Sequence, residues 1–116
     1  MPKRTTNQSS GKKNDQGKLR YDLVPPAVLE ALAGVYTLGA GKYGDYNWLG
    51  GLAWSRVYAA TMRHLQAWWS GETHAEDDGQ HHLAAAMWGL ATLMEYERLG
   101  FSHMDDRNEM HLHKLS

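Results

Sequence analysis

The sequence contains no cysteine. That absence excludes disulfides, thiolate metal ligands and a thiol nucleophile, and with them the usual structural zinc finger. Strong charge of one sign is missing too: the formal net charge is -1 with histidine neutral, so the chain lacks the positive field that duplex nucleic acid attracts, and no duplex partner is expected. No run of apolar residues is long enough to span a bilayer, and the opening MPKRTTNQSSGKK has no apolar stretch behind its charges. No membrane partner is expected, and a soluble cytoplasmic protein follows.

What is present points to a folded domain. Hydrophobic residues make up 42% and charged residues 22% of 116 positions, a balance typical of a soluble globular chain. So short a chain buries a modest core, and association with further copies is a natural way to hide more apolar surface. Five tryptophans add to that surface, so a homo-oligomer is expected.

Along the chain, residues 1–17 are polar and offer little to bury, which predicts a flexible N-terminal arm. GKLRYDLVPP then alternates Leu19, Tyr21 and Leu23 with Lys18, Arg20 and Asp22. Proline favours extended geometry before it, so this is read as an extended lead-in from which Lys18 and Arg20 project together, toward phosphate oxygens or toward solvent. Pro26 suits a first helical turn. Val28, Leu29, Leu32, Val35 and Tyr36 keep helical spacing, giving a first helix over about 26–40. Glu30 lies off that stripe, beside Gly34 and Thr37, either as a plain surface glutamate or as an acid with room next to it.

GAGKYGDYNWLGG combines glycine with two tyrosines and a tryptophan. Such a loop lets backbone N–H groups approach a phosphate, with Lys42 adding charge and Tyr43 or Trp48 a flat face for a base; equally, it is a packed surface loop with aromatic anchors. A second helix is read from Trp54 or Ser55 to about Ser70, with Tyr58, Met62, Leu65 and Trp69 in one stripe and Val57, Thr61, His64 and Trp68 in the next. Arg56 and Arg63 lie one heptad apart on it. GETHAEDDG follows with Glu72, Glu76, Asp77 and Asp78, and Asp77 or Asp78 suits the N-cap of a third helix. That helix carries Leu83, Met87, Leu90 and Met94 as its expected buried stripe, and His82, Ala85, Ala86 and Gly89 as a narrow face of small residues, up to Leu99 and Gly100. Residues 101–116 read as a polar tail in which His111 and His113 are spaced for adventitious transition metal. No strand pattern or repeat occurs, so the class is all-α: a compact bundle of about three main helices over residues 18–100.

His64, His82 and the acids Glu72, Asp77 and Asp78 crowd around the joint between the second and third helices. Hard cations take carboxylate oxygen and borderline cations also accept imidazole nitrogen, so the cluster suggests a divalent metal site. The plainer alternative is a pair of hydrogen-bonded core histidines beside solvated acids.

KLRYDLVPP, GAGKYGDYNW, WSRVYAATMRHLQAWWSGE and GQHHLAAAMWGLATLMEYE, in that order, resemble the small phage and prophage family of dATP/dGTP diphosphohydrolase N-terminal domains, over about residues 17–97. The resemblance implies an all-α enzyme related to the MazG-like pyrophosphohydrolases, cleaving a purine deoxynucleoside triphosphate such as dATP or dGTP to monophosphate and pyrophosphate. It also implies a divalent metal, Mg or Mn, a dimer or tetramer, and, if the chain is phage-encoded, the host cytoplasm. The MazG-like metal signature, E-E-x-x-E followed by E-x-x-D, is absent. Against it stand Arg63-His64 and His82-Leu83-Ala84-Ala85, so that His64 and His82 replace carboxylates and Ala85 leaves the last ligand out.

The expected mechanism has metal held by His64, His82, Glu72, Asp77 or Asp78. Lys42, Arg56 and Arg63 offset phosphate charge, Lys18 and Arg20 close over it, and Glu30 or Glu72 takes the proton from water. Tyr43, Asn47 and Trp48 grip the nucleoside by stacking and by amide pairing to the base. The alternative class is a non-catalytic module that holds a nucleotide or a host protein through the same aromatic loop. An HD-type hydrolase is not favoured, because no adjacent His-Asp pair occurs.

Overall fold

The computed structural model describes residues 11–107. It is helical: α1 spans Pro26–Tyr43, α2 Trp54–Trp69 and α3 His82–Leu99, with short 3-10 turns at Tyr21–Leu23, Asn47–Gly50 and Ser102–Met104. Among the described residues there is no strand, only one antiparallel bridge between His74 and His81. The first ten residues of the polar arm, and His111 and His113, lie outside the described residues.

The lead-in is not fully extended, since Tyr21–Leu23 turns as a short 3-10 helix. Pro25 then caps α1 with Pro26 in the first turn, the position where a missing N–H breaks no helical bond. α1 runs three residues past the expected end near Ala40. Its glycines cost about 1 kcal/mol each against alanine, yet the helix continues until Gly44, whose φ of 97° is a conformation that favours glycine and whose N–H bonds the Ala40 carbonyl.

α2 and α3 pack on each other and α1 packs on α3. The faces in contact are not the ones apolar size suggests. On α2 the buried residues are Trp54, Val57 and Thr61, while Tyr58 and Trp69 are exposed. On α3 the buried face is Ala84, Ala85, Ala86, Gly89, Thr92 and Tyr96, with Leu90 and Met94 exposed. Thr61 explains the choice: a methyl group added to Gly89 would overlap the Thr61 hydroxyl. Small side chains let two backbones come close, and larger ones would hold the helices apart.

The third helix also begins later than expected. Its N-cap is His81, whose Nδ1 accepts the Leu83 N–H at 3.0 Å. Asp77 and Asp78 do not cap it. The Ala75 N–H donates to the Gln80 carbonyl and the His82 N–H to the Thr73 carbonyl, folding residues 73–82 into a tight loop in which Asp78 accepts from Gln80 and not from the first turn of α3.

The packed unit continues past Gly100. Gly100 takes the left-handed C-cap conformation, after which Phe101 and Met104 pack against the core cluster of Trp54, Val57 and Tyr96. Asp106 then accepts the Ser55 N–H at 2.9 Å and pairs with the Ser55 hydroxyl. A distant carboxylate thereby satisfies a donor in the first turn of α2, whose own N-cap, Ala53, provides no side-chain bond.

Candidate functional site

A cavity of about 970 Å³ opens between the end of α1, the glycine-rich loop, the middle of α2, the acidic loop and Ala85 and Trp88 of α3. Its size is at the upper end of ordinary small-ligand pockets. Part of its lining is aromatic. Tyr36 stands edge-on to Trp48, with ring centroids 5.8 Å apart, and tilts against Trp88 at 6.2 Å. Trp48 is anchored through its backbone, whose carbonyl accepts the Tyr96 hydroxyl at 2.7 Å. Tyr46 just before it sits in the left-handed region at φ 57°, an uncommon conformation for a bulky side chain.

Charged and polar groups share the cavity. Lys42, Arg56, His64, Asp77, Asp78 and Gln80 all line it. Lys42 Nζ lies 3.8 Å from Asp78 Oδ2. The Gln80 backbone N–H donates to Asp78 Oδ1 at 3.1 Å and the Gln80 amide to Oδ2 at 2.7 Å; those bonds hold the Asp78 carboxyl below its ordinary value. Asp77 Oδ1 in turn accepts the Asp78 N–H.

Behind this wall runs a hydrogen-bonded chain. His64 Nδ1 and His82 Nδ1 are 2.9 Å apart, and His82 Nε2 is 2.6 Å from Glu72 Oε1. His82 is buried at 5% exposure, whereas Glu72 lies at the surface. Burial, then the neighbouring His82, push His64 below the ordinary imidazole value, with Asp78 and Asp77 pulling the other way and Arg63 adding to the fall.

Of the residues singled out from sequence, Lys42, Tyr43, Asn47, Trp48, Arg56, His64, Asp77 and Asp78 therefore meet at one cavity. Arg63 lines a smaller recess of about 210 Å³ beside it, shared with Arg56 and Trp88. Glu72 and His82 are joined to the cavity only through His64. Lys18, Arg20 and Glu30 are not among its lining residues, and the Arg20 guanidinium is bound twice by Asp22 at 2.8 Å. Among the described residues no group of three or more His, Asp and Glu side chains could hold a metal ion. In this arrangement both ring nitrogens of His82 already face partners, as does one oxygen of Glu72.

Tyr36, Trp88 and Gln80 also line the cavity without a signal in the sequence that marks them for it. Tyr36 has the helical spacing of a core residue and gives no sign of a second role. Gln80 becomes noticeable only once Asp78 is seen to need a partner in place of a helix N-terminus.

Comparison with known proteins adds three findings. A sequence model of the family described as "dATP/dGTP diphosphohydrolase, N-terminal" matches residues 8–107. A protein of Salmonella phage PMBT28 named dATP/dGTP diphosphohydrolase is 38% identical over 81 residues, which cover 70% of this chain and 28% of that relative. The matched part is thus a small fraction of the relative's length. No solved structure matches the chain.

Proposed function

From the premise that the chain belongs to the dATP/dGTP diphosphohydrolase N-terminal family, we propose that it hydrolyses a purine deoxynucleoside triphosphate, dATP or dGTP, to the monophosphate and pyrophosphate. The observation that carries this reading is the composition of one cavity: aromatic faces, the cations Lys42 and Arg56 and the carboxylates Asp45, Asp77 and Asp78 around a space large enough for a nucleotide.

The base stacks on Trp48 or Tyr43, with Asn47 beside it to pair with a base edge. Lys42 and Arg56 meet phosphate oxygens. Mg²⁺ usually keeps several waters and is held by one or two carboxylates plus substrate phosphates. Asp77 and Asp78 fit that mode; a cage made wholly of protein side chains does not fit the described residues. When bound, Mg or Mn supplies charge neutralisation on the triphosphate and a more acidic water. The chain's own part is to hold the base, fix the phosphates with Lys42 and Arg56, and keep Asp78 ionised through Gln80 and Lys42. It works as a homo-oligomer, in the cytoplasm where deoxynucleotides are found, which is the host's if the chain is phage-encoded.

The test is pyrophosphate release from each of the four deoxynucleoside triphosphates with Mg²⁺, with Mn²⁺ and with a chelator. Metal-dependent formation of pyrophosphate and monophosphate from dATP or dGTP is the expected result. Saturable nucleotide binding by the folded protein with no pyrophosphate would instead identify a non-catalytic binding module.

A further inference from the structure

The chain Glu72–His82–His64 has no part in binding as described above, yet it leads from the protein surface into the cavity wall. Its hydrogen-bond logic is determined at one end. An ionised carboxylate only accepts, so at 2.6 Å the Glu72 oxygen takes the N–H of His82 Nε2. In a neutral ring that leaves His82 Nδ1 with a lone pair. The facing nitrogen 2.9 Å away, His64 Nδ1, must then carry the proton. His64 lines the cavity, and with Nδ1 engaged the nitrogen left for a ligand there is Nε2, as an acceptor.

We propose that Glu72 and His82 are positioning residues which hold His64 in the Nδ1–H tautomer, so that His64 Nε2 serves as the general base toward water in the cavity. The inference rests on the hydrolase reading and deepens it. In the step itself an O–H bond of water breaks and its proton passes to His64 Nε2. The water oxygen forms a bond to the α-phosphorus, the bond from that phosphorus to the bridging oxygen breaks, and pyrophosphate leaves with the electron pair. Proton transfer to a placed side chain contributes roughly 10²–10⁴-fold to such reactions. Geometry supports the roles: His82 is buried and within hydrogen-bond distance of a partner at each ring nitrogen, so its ring cannot turn over without breaking both bonds.

Glu72 lies at the surface, with its side chain 45% exposed, so its variants are expected to fold. The experiment records long-range ¹H–¹⁵N correlation spectra of ¹⁵N-histidine-labelled protein, with and without Mg²⁺ alone, together with kcat and KM for wild type, Glu72→Ala and Glu72→Gln. The expected result is His64 as Nδ1–H and His82 as Nε2–H in the wild type, with both preferences lost in Glu72→Ala. The Ala variant should lose about tenfold or more in kcat while KM stays within about threefold. Glu72→Gln, which keeps a carbonyl acceptor, should recover part of that loss. His64 found as Nε2–H, unchanged tautomers or unchanged kcat in Glu72→Ala, or removal of the His64 Nδ1 proton by Mg²⁺ overturns the proposal; the last would mark the two facing nitrogens as metal ligands. A wild type with the expected tautomers but no pyrophosphate release sinks the hydrolase reading and the base role with it. Reversed tautomers with turnover intact overturn the positioning chain alone.

Discussion

His64 links the stability of the fold to pH. Its folded value is depressed below the ordinary 6.5, so between that lower value and 6.5 the unfolded chain binds more protons than the folded one. Stability therefore falls as pH falls through that window and is fully retained above it. In metal-free protein, the melting temperature should drop between pH 7.5 and pH 5, and a His64→Gln variant should show a shallower slope; equal slopes would mean that the ring titrates freely. Gly89 is the other residue where one atom decides. Alanine there gains up to about 1 kcal/mol of helix propensity, but its methyl group would overlap the Thr61 hydroxyl, and overpacking of this kind costs about 1–3 kcal/mol. The overlap wins, so Gly89→Ala should lower the urea midpoint, and less so when combined with Thr61→Ala. A Gly89→Ala protein as stable as wild type would show that α2 and α3 can separate without loss.

The helices depend on segments that follow them. α2 gains no side-chain bond from its own N-cap; its start is completed by Asp106, beyond the end of α3. The Arg107 guanidinium adds a second contact, lying 4.8 Å from the centre of the Trp54 ring. Asp106→Ala should lower the melting temperature, and a chain ending at Gly100 should lower it further, because Phe101 and Met104 also leave the core. Thermal melts of both variants followed by circular dichroism would check this. A truncated chain melting with the full-length one would show that residues 101–107 add nothing to α2. The acidic loop obeys the same principle at shorter range: His81 caps α3, which leaves Asp77 and Asp78 to line the cavity.

Taken whole, the molecule leaves much apolar surface uncovered. Leu29 on α1, Tyr58 and Trp69 on α2, and Leu90 and Met94 on α3 are all more than half exposed, and no residue of α1 is fully buried. An apolar surface of that breadth is what a neighbouring copy would cover. Light scattering after gel filtration should give a mass that is a multiple of 13.1 kDa, and Trp69→Lys or Met94→Lys should shift it toward the single chain. A sharp monomer peak at every concentration would count against assembly.

Much of this could be read from residue order. Helical spacing, Pro26 at a first turn and Gly100 after a last one are local signals, and they located the three helices to within a few residues. Lys42, Trp48, Arg56, His64 and the acidic loop each stood out by residue type, but the two loops flank opposite ends of α2, and it is the packing of α1 on α3 and of α3 on α2 that brings these residues to one cavity. Which face of each helix turns inward was not legible. Periodicity favoured the large residues Leu90 and Met94, but close approach of two backbones needs small ones, and only packing shows that Gly89 meets Thr61. The same holds for His82 and Glu72: spacing allowed them to be metal ligands, core residues or a base. Their alignment with His64 depends on the angle at which α2, α3 and the intervening loop meet, a three-body geometry that no single segment encodes.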